Sequence, residues 1–165
     1  MGSEMCIRDS LLFSIESKNA MLDLQNSQCE IIGVSRIIKL IRNFQANENM
    51  AWDIFKKPDR VDWVPGVEHC IFDGEIRTLD FPGVGKIREK ILCLDHDRKI
   101  IEYSCIETPG NLENHHAKIE IRGNPNNDSC TLIWTVIVSP KELEPFIEQS
   151  MLGCLGAINE LLTAK

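Results

Sequence analysis

Two charges in the stretch GEIRTLDFPGVGKIREKI, residues 74–91, stand where the alternation otherwise favours apolar residues: Arg77 and Glu89. The arms alternate around a Pro-Gly pair, so the stretch reads as a β-hairpin turning at Gly83. With Gly83 at the centre, Arg77 lies directly opposite Glu89, and opposed residues share one face of a sheet. Ile87 and Ile91 flank Glu89 on that face, and Leu79 is in step with Arg77, which makes it the concave, apolar face. Neither charge would be tolerated there alone, whereas the fork of an arginine and a carboxylate satisfy each other. The alternative is an exposed cross-strand pair that contributes little, and a one-residue slip would undo the opposition. Set in a cavity, Arg77 could polarise a carbonyl while Glu89 or Tyr103 moved a proton.

Other reactive residues lack the spacing their chemistry needs. His115 and His116 are adjacent, so a strand sends them to opposite faces, and His69 with Cys70 meets the same objection. No HExxH, paired CxxC or carboxylate cluster at ligand spacing occurs, and no metal site is expected. GxSxG, a Walker loop and a dinucleotide fingerprint are missing too, so no cofactor is expected; Gly83 and Gly85 belong to the hairpin turn. Asp95, His96 and Asp97 are turn formers. The seven cysteines, an odd number without a secretory pattern, read as small core or pocket-lining hydrophobes in a reducing cytoplasm.

The elements that must position these residues emerge from periodicity. A chain of 165 residues, 43% hydrophobic and 26% charged, suits one globular domain. Its net charge of −7 and lack of a basic tract speak against nucleic acid and anionic membranes. Apolar runs such as TLIWTVIV (131–138) are too short for a transmembrane segment. SRIIKLIRNF (35–44) predicts a strand. ANENMAWDIFKK (46–57) predicts a helix capped by Asn47, with Met50, Trp52, Ile54 and Phe55 as its apolar contacts, and a short helical turn follows at 59–66. VEHCIF, EIRTLDF, KIREKILCL, KIIEYSCIE, HHAKIEIRG and CTLIWTVIV then form an antiparallel six-strand meander, separated by turn residues.

The chain closes on a long helix. Ser139, Pro140 and Glu142 mark its start, Pro145 stands in the first turns or marks a second start, and Leu143, Ile147, Met151, Cys154, Ile158 and Leu161 form its apolar stripe. Gly153, Gly156 and Ala157 give a neighbouring face almost no side chains, which serves either close packing on the sheet or room for a ligand. The sum is an α+β domain, a curved antiparallel sheet wrapped around the C-terminal helix.

Two resemblances bear on this reading. MGSEMCIRDS, residues 1–10, resembles the translation of a transposase-type sequencing-library adapter, so it is set aside as a probable artefact; residues 11–35 form an uncertain N-terminal extension in which Met21 could be the true start. Residues 36–165 resemble the START-like (SRPBCC) superfamily, within it the polyketide cyclase/dehydrase and lipid-transport group. The matching residues are Trp63, Pro65 and Val67; Gly74, Arg77, Thr78 and Leu79; Glu89, Leu92 and Asp95; Tyr103; and Trp134. That resemblance implies a helix-grip fold. It also implies binding or transport of a small hydrophobic ligand, whether lipid, polyketide, isoprenoid or aromatic compound, between sheet and helix. Arg77, Leu79, Glu89, Ile91, Tyr103, Ile119, Trp134, Gly153 and Ala157 would line the cavity. The alternative is a cyclase- or dehydratase-like enzyme using the same cavity, with Arg77, Glu89 and Tyr103 as candidate catalytic residues.

Overall fold

A computed structural model of the chain describes residues 27–32 and 35–164. The decapeptide 1–10 and Met21 lie outside the described residues. Among the described residues there are eight strands: β1 (Ser27–Ile32), β2 (Ser35–Phe44), β3 (His69–Phe72), β4 (Ile76–Phe81), β5 (Gly85–Asp95), β6 (Ile100–Glu107), β7 (Asn114–Gly123) and β8 (Cys130–Ser139). The α-helices among the described residues are α1 (Glu48–Phe55) and α2 (Glu144–Thr163). All eight strands join one antiparallel sheet in the order β1-β2-β8-β7-β6-β5-β4-β3. β3 to β8 form the expected meander, and β2 returns to pair with β8. β1 is one strand more than expected, because it lies within residues 11–35, the stretch set aside as an uncertain extension.

The concave face is built by alternation. Ile38, Leu40 and Phe44 of β2, Ile101 and Tyr103 of β6, Ala117, Ile119 and Ile121 of β7, and Leu132, Trp134, Val136 and Val138 of β8 are all buried. The sheet curves around α2, which buries Met151, Cys154, Leu155, Ile158 and Leu162 in the same core. This face differs from the predicted stripe: Leu143, Ile147 and Leu161 are only half-buried, while Leu155 and Leu162 take full places. Because an α-helix turns 3.6 residues per revolution, the buried face becomes i, i+3, i+4, i+7 from Met151 and reaches Leu162 instead of Leu161. A 3-10 turn at Lys141–Leu143 precedes α2, and Pro145 sits in its first turn, so Pro145 marks a second start.

α1 forms where its cap predicts. The Asn47 side chain accepts hydrogen bonds from the backbone N–H groups of Asn49 (3.1 Å) and Met50 (3.0 Å). Ala51, Trp52, Ile54 and Phe55 face the core, whereas Met50 stays 38% exposed at the cap turn. The segment after Pro58 is a series of turns closed by Val64 N–H to Val61 and Val67 N–H to Val64, not a helix.

Two bulges in the sheet change which residues share a face. Leu92 is skipped between the pairs Ile91–Tyr103 and Cys93–Glu102, so Leu92 turns outward. Ile106 is skipped between Glu89–Cys105 and Arg88–Glu107, and it too is exposed. The β6–β7 ladder then stops at Tyr103–Ala117. Beyond it, side chains replace backbone pairing: Ser104 Oγ donates to the His115 carbonyl, and the Cys105 N–H donates to His115 Nδ1 at 3.1 Å.

Candidate functional site

The hairpin places its two charges as the turn arithmetic requires. Gly83 takes a left-handed φ of 77° at the centre of the turn, and Arg77 is the register partner of Glu89. Both are buried, with Arg77 2% and Glu89 8% exposed. Arg77 Nε donates to Glu89 Oε2 at 2.6 Å, and Arg77 Nη1 donates to the Pro58 carbonyl at 3.4 Å. The guanidinium carbon lies 4.6 Å from the centroid of the Tyr103 ring and 5.8 Å from that of Trp63. Trp63 is fixed by an N–H bond to the Arg60 carbonyl and packs edge-on against Phe55 and Trp134. The inward pair is therefore the observed arrangement, and the exposed alternative is not.

Four adjacent strands each contribute one polar side chain to this group: Arg77 from β4 and Glu89 from β5 as the pair, then Tyr103 from β6 and His115 from β7. Burial is the strongest single influence on Arg77 and opposes its charge, but the charge and hydrogen bond of Glu89, joined by Tyr103 and Cys70, together hold the guanidinium above its ordinary value. Burial, then the Glu89 charge, pushes the Tyr103 phenol far up, so it stays protonated. Burial also pushes the Cys105 thiol up to about 11 and the Cys154 thiol, on α2, up to about 12. His115 moves the other way: burial holds it below its usual value against the pull of Glu89. Since its Nδ1 accepts the Cys105 N–H, the neutral ring carries its proton on Nε2.

The structure brings Arg77, Glu89 and Tyr103 together, with Ile91 as the register partner of Tyr103 and Trp134 as that of Ile119. Leu79, Ile119 and Trp134 are buried on the same face, and Ile91 is half-buried. Gly153 and Ala157 are half-buried on α2, and a Cβ on Gly153 would meet Pro65 only at 4.0 Å. Close packing therefore does not require that glycine. Gly156 is exposed, with open space where its Cβ would be. Sequence reasoning missed Trp63, Cys105 and His115 as neighbours of the pair. His115 was discoverable, because it alternates with Ala117, Ile119 and Ile121; His116 faces outward to Glu102.

The Trp134 indole N–H is buried beside Tyr103. It lies near enough to favour the phenolate slightly, but it makes no hydrogen bond of ordinary distance and angle. No group of three or more His, Cys, Asp and Glu residues is placed to hold a metal among the described residues. No helix there is long and apolar enough to cross a membrane.

These features sit on a known architecture. The structure is similar to that of XoxI from Bacillus cereus, with a TM-score of 0.70 and 16% identity over 76% of this chain and 94% of that one. It is also similar to truncated norcoclaurine synthase from Thalictrum flavum, with a TM-score of 0.64 and 21% identity over 82% of this chain and 98% of that one. The fold is the helix-grip fold. The START-like resemblance is thus matched at the level of fold. No family model and no curated protein sequence matches the chain.

Proposed function

We propose that the chain binds a small hydrophobic ligand between the concave sheet and α2, with Arg77, Glu89 and Tyr103 at the polar end of the site. One observation carries this reading: a complete ion pair, with Tyr103 and His115 beside it, is sealed into a mostly apolar face. Replacing such a pair with packed apolar residues is often neutral or stabilising, so stability alone gives little reason to keep it. A site that orients a ligand does give one, since such sites are mostly apolar with a few placed polar groups. The helix-grip relative norcoclaurine synthase has been captured with dopamine and hydroxybenzaldehyde, so this architecture accommodates aromatic small molecules.

Binding fits better than acid–base catalysis. Tyr103 is held as the phenol, the acceptor nitrogen of His115 is occupied, and Glu89 Oε2 is engaged by Arg77. A lipid, polyketide, isoprenoid or aromatic compound would all suit the apolar walls, and a carrier role follows. Titration with the uncharged fluorophore 6-propionyl-2-(dimethylamino)naphthalene should give saturable one-to-one binding with a blue-shifted emission. Non-saturable, aqueous-like emission at every concentration would mean that side chains fill the space. Native mass spectrometry of protein purified from its host should then show the mass of a retained ligand.

A further inference from the structure

Resting on that binding reading, the hydrogen-bonding inventory of the site narrows the ligand. The Arg77–Glu89 pair sums to zero charge, with its two members 2.6 Å apart. A cationic ligand would meet Arg77 and an anionic one Glu89, each at low dielectric, so neither is favoured. What remains is dominated by donors. The Trp134 indole can only donate, is 4% exposed and makes no hydrogen bond of ordinary geometry, although it lies close enough to the Tyr103 oxygen to act on the phenol. His115, its ring centroid 5.9 Å from that of Tyr103, presents Nε2–H because Nδ1 is taken. The Tyr103 phenol keeps its proton and can give it. Trp52 also has an unpartnered buried N–H, but its ring abuts His96 on the α1 side, away from this group.

A buried donor without a well-formed hydrogen bond is costly, and a ligand acceptor placed against it removes that cost. We infer that the site selects hydrophobic molecules ending in a neutral hydrogen-bond acceptor, a ketone, aldehyde, quinone or ester carbonyl, received by the Trp134 N–H with Tyr103 and His115 beside it. Amines and carboxylates of the same shape are disfavoured.

Three probes of one shape test this: 2-acetylnaphthalene, 2-isopropenylnaphthalene, in which a methylene replaces the carbonyl oxygen, and protonated 1-(2-naphthyl)ethylamine. Affinities are measured by equilibrium dialysis, and the carbonyl stretch of protein-bound, carbon-13-labelled ketone by difference infrared spectroscopy. The expected result is a bound carbonyl stretch shifted below its value in hexane, and an amine weaker than the ketone. Trp134→Phe should weaken the ketone about fivefold, the worth of one net hydrogen bond, and leave the alkene unchanged. The infrared measurement needs no variant, so it decides even if Trp134→Phe does not fold. Ketone and alkene both bound with a hexane-like carbonyl stretch, or an amine bound most tightly, would overturn the acceptor preference while the cavity stands. Failure of all three uncharged and charged probes to bind would overturn the binding reading and this inference with it.

Discussion

Arg77 and Glu89 are coupled tightly enough that their single substitutions should mislead when read alone. Arg77→Leu strands a carboxylate and Glu89→Leu strands a guanidinium, so each should cost about 3–5 kcal/mol in urea unfolding, while the double Leu variant should recover much of it. Arg77→Leu should be the worse, because it also gives up the Pro58 carbonyl and the Tyr103 and Trp63 rings. Additive single effects would show that the two charges do not depend on each other. His115 supplies a pH signature. Its folded pKa is depressed below the ordinary 6.5, so above that pH the group is neutral in both states and stability is fully present. As pH falls below 6.5 the unfolded chain binds a proton that the folded ring refuses, and stability drops by at most about 1.4 kcal/mol per pH unit until the folded pKa is passed. Melting curves from pH 8 to pH 5 should therefore be flatter for His115→Gln than for the parent; equal slopes would mean that His115 titrates freely when folded.

At the scale of the elements, α2 separates packing from propensity. Ile158 is fully buried, so Ile158→Ala should cost about 2–5 kcal/mol. The half-buried Leu161 should cost clearly less, and Gly156→Ala should stabilise by about 0.5–1 kcal/mol, because an exposed helical glycine gives up only disorder. Chemical denaturation of the three variants ranks them, and a destabilised Gly156→Ala would mean that the open space is in use. The hairpin of β4 and β5 is legible in the sequence because a Pro-Gly turn sets its register, and register places Arg77 on Glu89. The neighbours contributed by β6 and β7 are not. The skipped residues Leu92 and Ile106 look like ordinary strand residues, and each shifts by one the parity from which faces are read. That Cys105 stands opposite Glu89 depends on those bulges, and its bond to His115 lies beyond the end of the β6–β7 ladder, so both need coordinates.

For the molecule as a whole, a curved antiparallel sheet around a long last helix was legible from the order of strands and the length of that helix, since short turns leave a meander little choice of topology, and the START-like resemblance implied the helix-grip fold. The unaided sequence could not fix the contents of its concave face, which depend on how side chains from strands far apart in the chain meet. We propose that the adapter-like residues 1–10 contribute nothing to the fold. Their deletion should leave the melting temperature and fluorophore binding unchanged, and a fall of many degrees in differential scanning calorimetry would show that they belong to the fold. One pairing has a consequence for synthesis. β2 meets β8 along Ile37–Ile137 to Phe44–Cys130, so the strand made early in the domain has its second edge closed by one made near the end. At about 5–20 residues per second on the ribosome, that edge waits on the order of 5–20 s for its partner. During that interval Ile38, Leu40 and Phe44 are apolar side chains on a half-paired strand, so the last strand to be made is the one that seals the core.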